Sequence, residues 1–410
     1  MNPITAIVLG AGSRGSTYAG YAKDHPQELQ IVAIAEPRED RLHTLADQLN
    51  VPRANRFAGW EALLCQPKMA DCAFICTLDD DHIGPAIRAM ELGYHILLEK
   101  PMSNQEEECR QIVDVAKRTQ RCLAVCHVLR YTPFYMTLKA LIDRGEIGEV
   151  TTINQIENVG YWHQAHSFVR GNWRNAAQTS PMLLQKSCHD MDIILWLMGK
   201  NCIRVQSFGS LRHFTPHNAP QGAPLRCLDN CPHAETCPYY APKLYMDMER
   251  TGWPIDVITT DFSLEGRRKA LMTGPYGRCV YHCDNDVVDR QIVNLEFEGG
   301  AIATFTMTGL SADFSRQLKI FGTQGQITAD MGTKEIVLHR FGEGKQSIPL
   351  EVASEISGHG GGDYGIMADF LAVVRNGGES RTNAAVSLQS HLICFAAERS
   401  RKENIVVTLE

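Results

Sequence analysis

A glycine-rich turn near the start of the chain has the spacing of a dinucleotide-binding site. Gly10, Gly12 and Gly15 follow the apolar run Ile4–Leu9, and Glu36 ends the next apolar run. In this pattern the first glycine permits a tight turn, the second lets backbone amides approach a pyrophosphate, and the third lets a helix pack on the sheet. The N-terminus of that helix then faces the phosphates. The spacing predicts a bound dinucleotide, and a glycine turn without a ligand is the alternative.

The acid at the end of the second run indicates which dinucleotide binds. Glu36 can accept hydrogen bonds from both ribose hydroxyls, and its charge repels a 2′-phosphate, so we expect NAD rather than NADP. Arg38 follows two residues later and can pair with a phosphate, which weakens this preference.

A lysine follows another apolar run, Tyr94–Glu99, in the sequence Glu99-Lys100-Pro101. The carboxyl ends of parallel strands are where ligands bind in open α/β sheets. Lys100 can therefore hydrogen-bond a substrate hydroxyl, stabilise a developing oxyanion or, with a lowered pKa, take part in proton transfer. A solvated lysine at a strand end is the alternative interpretation.

Three polar clusters contain more reactive side chains than a plain scaffold needs. The first combines aromatic rings, which stack on sugars, with imidazole and guanidinium groups, which bind hydroxyls. Its members are Tyr161, His163, His166, Arg170, Trp173 and Arg174. The second comprises His359, Asp363 and Tyr364 in a glycine-rich turn, and the third is Asp284-Asn-Asp286. We predict that the first two bind substrate, although each of the three can instead be a surface loop.

Cysteines in an irregular stretch predict a structural zinc. Cys227, Cys231 and Cys237 lie close together, and Cys279 and Cys283 follow later. Thiolates from two loops can close a tetrahedral site, which leaves no open position for catalysis. We expect the first three cysteines and one of the later two, Cys283 being chosen, to bind the metal. Free thiols, or disulfides in an exported protein, are the alternatives.

The elements that must position these residues change character along the chain. Short apolar runs without alternation predict buried parallel strands in the first part, and they are separated by helical patterns such as Cys109–Ala116. This order predicts a doubly wound parallel sheet. The predicted strands are Ile4–Leu9, Gln30–Ala35, Asp71–Thr77, Tyr94–Glu99 and Cys122–Val128.

Beyond residue 148 the pattern predicts a mostly antiparallel sheet and a few helices. Two alternating runs flank the turn Gly299–Gly300, which is typical of a hairpin. Late helices are predicted over Asp369–Arg375 and Ala384–Arg399. The predicted strands are Val150–Glu157, Ile292–Phe297, Ala301–Met307, Gln317–Phe321, Gln326–Ala329, Glu335–His339 and Ser347–Val352.

Length and composition limit the classes of function. The chain has 410 residues, more than one hydrophobic core usually holds, so we predict a dinucleotide domain at 1–128 and a substrate-binding domain at 129–410 with a cysteine-rich insertion at about 216–254. The net charge of −7 without a basic stripe argues against nucleic acid. We expect no membrane span and no secretory signal, and the scattered cysteines favour a reducing, cytoplasmic location.

Five stretches together resemble the glucose–fructose oxidoreductase, inositol dehydrogenase and rhizopine-catabolism family (Gfo/Idh/MocA). They are Gly10–Gly15, Asp71–His82, Glu91–Pro101, Leu183–Gly199 and Arg316–Ile327, and they are spread over nearly the whole chain. The resemblance implies an N-terminal Rossmann domain and a C-terminal α/β domain with a large, open, mostly antiparallel sheet. That sheet often forms the oligomer interface, so we expect a homodimer or homotetramer. The implied chemistry is hydride transfer between a nicotinamide cofactor and a sugar or cyclitol carbon.

The resemblance also assigns residues. Lys100 corresponds to the family's catalytic lysine and His189 to its histidine. The family often has an aspartate one helical turn before that histidine, whereas this chain has Gln185, which can orient a hydroxyl but exchanges no proton at neutral pH. Proton transfer then rests on Lys100 and His189, with Lys186 nearby. Lys186 and Asp190 are i, i+4 partners and can pair with each other instead.

Further side chains complete the predicted sites. Asp190 is added to the substrate-binding residues. The predicted cofactor-binding residues are Gly10, Gly12, Ser13, Arg14, Gly15, Glu36, Arg38, Thr77, His82, Glu99 and Lys100.

Three functions are consistent with the sequence. The first is an NAD-dependent dehydrogenase acting on a ring hydroxyl of a sugar, sugar derivative or cyclitol. The second, known in branches of the family, is an oxidoreductive glycosidase that oxidises a ring hydroxyl transiently and breaks the glycosidic bond by elimination. It needs an additional base, which Lys186 or the Tyr161–Arg174 loop can supply. The third is a nicotinamide-dependent sensor without turnover, and the presence of Lys100 and His189 argues against it.

Overall fold

Six parallel strands form the first sheet of the computed structural model, which describes residues 2–350 and 359–409. The spatial order is β3-β2-β1-β4-β5-β6, which is the doubly wound arrangement and confirms the predicted class of sheet. The strands are β1 (Ile4–Leu9), β2 (Leu29–Ala35), β3 (Arg56–Phe57), β4 (Cys72–Ile75), β5 (His95–Leu98) and β6 (Leu123–Val125).

Helices connect these parallel strands. Their apolar residues face the sheet, as Cys109, Ile112 and Val113 do in the last of them. That helix has three glutamates in its first turn and Lys117 and Arg118 in its last, which suits the helix dipole at both ends. The helices are α1 (Ser13–Asp24), α2 (Glu39–Gln48), α3 (Trp60–Leu64), α4 (Ile83–Glu91) and α5 (Glu106–Thr119).

A nine-stranded, mostly antiparallel sheet forms the second half, in the order β14-β13-β12-β11-β7-β10-β9-β8-β15. Among the described strands of this second sheet, β7 and β10 are the parallel pair. The predicted hairpin at Gly299–Gly300 is confirmed, since β9 and β10 pair antiparallel around it. The strands are β7 (Val150–Asn158), β8 (Cys202–Ser210), β9 (Arg290–Phe297), β10 (Ile302–Thr308), β11 (Ser315–Gly322), β12 (Gly325–Asp330), β13 (Glu335–Arg340), β14 (Lys345–Ser347) and β15 (Val407–Thr408).

The strand predicted over Ser347–Val352 is placed differently. The structure ends β14 at Ser347, and residues 351 and 352 lie outside the described residues. Strand β8 was not predicted, because its sequence CIRVQSFGS alternates only weakly.

The remaining helices include both predicted late helices. A π-helix over Gln164–Arg170 continues directly from α7, so the predicted polar loop is helical over most of its length. The α-helices are α6 (Pro133–Asp143), α7 (Tyr161–His163), α8 (Met182–Met198), α9 (Ala241–Tyr245), α10 (Ile255–Ile258), α11 (Leu264–Thr273), α12 (Gly362–Asn376) and α13 (Ala384–Glu403). In the described part of the chain, no helix is long and apolar enough to cross a lipid bilayer.

The chain divides into two compact units that differ from the predicted domains. The first unit comprises Met1–Thr137, Met191–Ile193 and Glu351–Leu392, and the second comprises the rest. Helix α12 belongs to the first unit because its Ile366, Met367 and Phe370 are buried in the same core as Phe74 and Tyr131. The predicted boundary at residue 128 assigns α12 to the second domain, whereas the structure packs α12 into the core of the first unit.

The core of the second unit lies against one face of its sheet. Ile153, Val293, Phe305 and Leu318 on four adjacent strands are fully or almost fully buried. The alternate positions of the same strands carry exposed side chains such as Ile156 and Ile302. This two-sided pattern is what the sequence alternation predicts for an antiparallel sheet with one open face.

Candidate functional site

Of the three glycines in the turn of the first unit, Gly12 is the one with open space beside it. Gly10 has φ +96°, and a Cβ there would lie 2.4 Å from the carbonyl oxygen of Cys76. A Cβ on Gly15 would lie 1.9 Å from the Gly10 oxygen, whereas the nearest atom to a Cβ on Gly12 is Arg41 Nη1 at 3.6 Å. Gly10 and Gly15 are thus required by the protein's own packing, and Gly12 leaves open the approach that a pyrophosphate needs.

Glu36 stands at the end of β2 as the fingerprint requires. Its Oε2 accepts a hydrogen bond from the Ala11 N–H at 2.7 Å, and its Oε1 accepts one from the Arg38 N–H at 3.0 Å. The carboxylate therefore lies beside the glycine turn, where a ribose would bind. The guanidinium of Arg38 binds Asp40 at 2.8 and 3.2 Å, so this arginine is occupied by its own neighbour.

Four residues that were predicted to bind ligands take part in a partly buried ion-pair network. Arg14 Nε lies 2.8 Å from Glu99 Oε1, and Arg14 Nη2 lies 2.6 Å from Asp363 Oδ1. Tyr18 donates to Glu99 at 2.7 Å, and His359 Nδ1 lies 3.2 Å from Asp363. Burial alone would raise the pKa of Glu99, but the charges of Arg14 and Lys100 and the hydrogen bonds from Arg14 and Tyr18 together outweigh it, so the pKa is lowered. The structure thus assigns Arg14, Glu99 and Asp363 to holding α1, β5 and α12 in place.

Three other predicted residues of this unit have separate positions. Ser13 is exposed at the first position of α1, where a phosphate can approach. The hydroxyl of Thr77 donates to the Asp81 carbonyl at 2.8 Å. The Tyr364 hydroxyl donates to the carboxylate of Asp24, so this tyrosine fastens α12 to α1.

The segment Glu99–Met102, here named the lysine loop, follows β5 and carries the candidate catalytic lysine. The Lys100 N–H donates to Glu99 Oε2 at 2.9 Å, and the Pro101 carbonyl lies 2.7 Å from Nδ1 of the buried His82. His82, predicted to bind the cofactor, therefore contacts the loop itself. Lys100 itself is partly exposed, and the loop holds its backbone.

A histidine from α13 fixes the other end of the lysine loop. The Met102 N–H donates to His391 Nε2 at 2.9 Å, and His391 Nδ1 lies 2.7 Å from the Ser387 carbonyl. These partners require a neutral ring with its proton on Nδ1. Burial and the neighbouring His127 agree with this, since they lower the pKa of His391 to about 3. The sequence did not indicate His391, which is 289 residues from its partner.

Helix α8 carries Gln185 and His189, each only 6% exposed. Lys186 Nζ lies 3.3 Å from Glu157 Oε1, and Asp190 is fully buried and accepts from Arg316 Nε at 2.8 Å. Arg316 Nε also lies 2.8 Å from Glu157 Oε2. Lys186 is therefore paired with Glu157, and Asp190, predicted to bind substrate, is part of a buried ion-pair chain.

Four rings in the second unit form a group that we name the aromatic cluster: Trp162, His163, Trp253 and Phe314. The His163 ring lies 4.9 Å from Trp253 and 5.3 Å from Phe314, between centroids. Trp162 lies 5.4 Å from Trp253 and 5.9 Å from Phe314. Trp253 is 41% and Phe314 52% exposed, and neither was predicted from sequence because each belongs to a different distant segment.

Two other members of the predicted carbohydrate loop hold the insertion rather than face solvent. His166 stacks on Tyr276 at 4.7 Å, its Nδ1 lies 2.7 Å from the Tyr245 hydroxyl, and burial lowers its pKa to about 3. Arg170 is 2% exposed and donates to the carbonyls of Arg278 and Tyr239 at 2.7 and 2.6 Å. This placement gives no support to the prediction that they bind substrate.

The remaining members of that loop lie near the third polar cluster. Arg174 Nε donates to Asp284 Oδ1 at 2.8 Å, and the Ala176 N–H donates to Asp286 Oδ1 at 2.7 Å. The hydrogen bond from Arg174 lowers the pKa of Asp284. Trp173 is half-buried, and Tyr161 is 36% exposed beside the aromatic cluster. The structure therefore joins the first and third polar clusters through Arg174.

The cysteines of the insertion line a small cavity of about 20 Å³. Cys227, Cys231, Cys237 and Cys279 line it, whereas the chosen fourth ligand, Cys283, donates to the Cys279 carbonyl at 3.3 Å. Within residues 2–350 and 359–409, no group of three or more His, Cys, Asp or Glu side chains is arranged to hold a metal ion. The structure therefore gives the predicted zinc no support. All fourteen cysteines lie in the described part of the chain and are free thiols, and cytoplasmic location stays a prediction.

Comparison with protein families matches both halves of the chain. Residues 4–127 match the oxidoreductase family's NAD-binding Rossmann fold, and residues 139–409 match its C-terminal α/β domain. The chain belongs to the Gfo/Idh/MocA oxidoreductase family. Its first unit thus contains an NAD-binding fold, and the protein is an enzyme of the oxidoreductase class.

Curated relatives of this Gfo/Idh/MocA chain include enzymes named for both chemistries predicted above. The oxidoreductase YteT of Bacillus subtilis is 24% identical over 73% of this chain and 72% of its own. Inositol 2-dehydrogenase of Corynebacterium glutamicum is 27% identical over 48% of this chain and 55% of its own. Glycosyl hydrolase family 109 protein 2 of Bacteroides fragilis is 29% identical over 35% of each chain.

Solved structures share the fold over the full length. Levoglucosan dehydrogenase, in complex with NADH and L-sorbose, is 18% identical, has a TM-score of 0.74 and is covered completely, as is this chain. At this identity the likeness establishes the fold alone.

Proposed function

We propose that this protein transfers hydride between NAD and a ring carbon that bears a hydroxyl, in a sugar, sugar derivative or cyclitol. The observation that carries the proposal is the lysine loop at the carboxyl end of β5. Glu99, His82 and His391 hold its backbone through bonds of 2.7 to 2.9 Å, and Lys100 is partly exposed. A lysine fixed in this way beside an NAD-binding fold suits proton transfer to and from a hydroxyl.

The residues of the glycine turn fit NAD. Gly12 leaves open the approach to the backbone, Ser13 begins α1, and Glu36 lies beside the turn in position for a ribose. Bound NAD supplies the hydride acceptor and donor. The engagement of Arg38 by Asp40 supports NAD over NADP, because it leaves the acid at position 36 as the side chain that meets the ribose.

Proton movement falls to residues of this chain. Lys100 hydrogen-bonds the reacting hydroxyl and takes or returns its proton, and His189 is the second candidate for that step. Gln185 orients a hydroxyl through its amide. The named substrates of two similar proteins, inositol and levoglucosan, support a polyhydroxylated ring as substrate.

A redox-neutral glycosidase is the second candidate, and two observations favour it. One similar protein is named as a glycosyl hydrolase of family 109. Lys186 also lies in the second unit in contact with Glu157, so an additional titratable pair is present near Gln185. In this scheme transient oxidation acidifies a C–H, a base removes that proton, and the aglycone leaves by elimination before water adds and the hydride returns.

One assay with two readouts decides between the candidates. The protein receives NAD and a panel of free sugars, cyclitols and chromogenic glycosides, and both reduced nicotinamide and released aglycone are measured. Reduced nicotinamide in proportion to oxidised sugar identifies a dehydrogenase. Aglycone release with catalytic NAD and no net reduction identifies the glycosidase. Absence of both from a protein that binds NAD would contradict the proposed function.

We propose further that the open sheet face of the second unit joins two copies of the chain. Phe208, Ile292 and Ile156 stand in register across β8, β9, β10 and β7, with Thr306 between the two isoleucines. They are 52%, 38% and 39% exposed, and such a row is typical of a protein interface. Phe208→Glu should convert the dimer or tetramer to monomer in analytical ultracentrifugation. A wild-type monomer would contradict this.

A further inference from the structure

We propose that the aromatic cluster binds a second sugar ring, next to the ring that is oxidised, so that the substrate is a disaccharide or longer saccharide. This inference rests on the proposed function and names its substrate class more closely. Trp162, Trp253 and Phe314 supply the ring faces, and they come from α7, from the segment before α10 and from the connection between β10 and β11.

The rings are held in place although two of them are exposed. His163, which is 8% exposed, contacts both Trp253 and Phe314. Trp253 also lies 5.4 Å from His166, which the Tyr245 hydroxyl and the Tyr276 ring fix. A platform whose side chains are already ordered loses little conformational entropy when a ligand binds.

The chemistry beside the rings favours a saccharide. Lys186 Nζ lies 5.2 Å from the centroid of Phe314, so a cation lies beside the aromatic cluster, and the buried Glu157 holds that cation at 3.3 Å. Sugars present an apolar C–H face together with a rim of hydroxyls, and they bind where aromatic surface and polar groups converge. Three rings are also much too small a patch for a stable protein interface.

The position of Lys186 connects the platform with the predicted site. Lys186 follows Gln185 in α8, and His189 is one helical turn further on. The aromatic cluster therefore adjoins the part of the helix that the proposed function assigns to substrate hydroxyls. A saccharide that has its reacting ring at that helix can place a neighbouring ring on Trp253 and Phe314.

Calorimetry in the presence of NAD tests the inference without requiring turnover. The probes are glucose with maltose and cellobiose, and galactose with lactose and melibiose. We expect at least one disaccharide to bind about tenfold more tightly than its monosaccharide, and Trp253→Ala or Phe314→Ala to abolish that difference. Trp253→Phe should restore most of it. Phe341→Ala, which alters a 62% exposed phenylalanine after β13, is the matched control and should leave both affinities unchanged.

Two results would overturn the inference. One is that no disaccharide binds more tightly than its monosaccharide. The other is that the Trp253 and Phe314 variants, with thermal unfolding like that of the wild type, weaken both probes equally. Failure of the proposed function is a separate result. The protein would then bind disaccharides through the aromatic cluster but would neither reduce NAD nor release an aglycone. That outcome would support the subsite and contradict the proposed reaction.

Discussion

The lysine loop of the first unit and the aromatic cluster of the second are built in opposite ways. In the loop, backbone groups of Lys100, Pro101 and Met102 each meet a buried partner at 2.7 to 2.9 Å. In the cluster, rings touch one another while Trp253 and Phe314 keep about half of their surface in solvent. The difference teaches that one region fixes a reacting group and the other offers a surface, so the first should set the rate and the second the choice of substrate.

Replacing Lys100 in the lysine loop should have the largest effect, and that effect should be on kcat. We expect Lys100→Ala to lower kcat by about 10²–10⁴-fold while NAD affinity stays within a few-fold, because general acid–base catalysis is lost and the glycine turn is untouched. Steady-state rates and an NAD titration check this. Lys117→Ala, on the exposed side of α5, is the matched control. Parallel loss of NAD binding and turnover would remove the role assigned to Lys100.

The second largest effect is expected from breaking the ion-pair chain beside the aromatic cluster, and it should be a loss of stability. Arg316→Met leaves the buried carboxylates of Glu157 and Asp190 without the guanidinium that both contact at 2.8 Å, so we expect a loss of about 3–5 kcal/mol of unfolding free energy. Denaturant unfolding measures it. The control is Arg204→Met, which breaks the exposed pair with Glu296 on the same sheet and should change little. Equal losses in the two variants would show that the buried ion pairs of Arg316 stabilise the fold no more than the exposed pair does.

Lowering the pH should destabilise the fold through two buried histidines. His391 contacts the lysine loop, and His166 contacts Trp253 of the aromatic cluster. His391 and His166 have pKa values of about 3 in the folded protein. Their unfolded value is about 6.5, so unfolding takes up protons below that pH. Each should therefore cost about 2 kcal/mol of stability between pH 7 and pH 5. Urea unfolding at the two pH values should show a smaller loss for His391→Gln and His166→Gln. An undiminished loss in both variants would refute the assignment.

A smaller effect is expected from adding a methyl group at Gly12, and it should fall on NAD binding rather than on stability. Gly12→Ala should weaken NAD binding about tenfold, or about 1.4 kcal/mol, without lowering the melting temperature, because its Cβ meets nothing closer than 3.6 Å. Gly20→Ala in the same helix, where nothing lies within 4 Å, should leave NAD binding unchanged and add about 1 kcal/mol of stability. Unaltered NAD affinity in Gly12→Ala would show that no phosphate approaches this residue.

The smallest effect should concern the choice of dinucleotide. Glu36→Ala removes the carboxylate that accepts from the Ala11 N–H, and with it the repulsion of a 2′-phosphate. We expect the affinity for NAD to fall several-fold more than that for NADP, by about 1 kcal/mol in the difference. Dissociation constants for both cofactors measure the ratio, and an unchanged ratio would refute the ribose contact.

Features encoded in contiguous sequence could be predicted. The glycine turn, Glu36 and the lysine loop each depend on a few neighbouring residues and a strand end. Both sheet types follow from local patterns, which are unbroken apolar runs for the parallel sheet and alternation for the antiparallel one. The partners of these residues could not be predicted, because they come from distant segments. Arg14 and Asp363 are 349 residues apart, and Trp253 meets Trp162 across the insertion.

Residue type alone does not distinguish a charge that binds ligand from one that holds the fold. Arg170, Asp190 and Asp363 were assigned to substrate, yet each is at most 2% exposed and bonded to the protein. The same residue types serve both purposes, so the assignment of these three to substrate stays a prediction that their buried contacts do not support. The zinc remains a prediction without structural support, and elemental analysis showing less than stoichiometric zinc in folded protein would dispose of it.

Transfer of an isotopic label tests the central claim most directly. A sugar or glycoside that the two-readout assay identifies is deuterated at its carbinol carbons, one position at a time. The reaction is quenched within the first turnover, before a glycosidase would return the hydride, and the reduced nicotinamide is recovered. Both the dehydrogenase and the glycosidase require deuterium from one position to appear in the cofactor, and Lys100→Ala should prevent its appearance. Turnover of the substrate with no label in the cofactor from any position would contradict hydride transfer, and with it the proposed function.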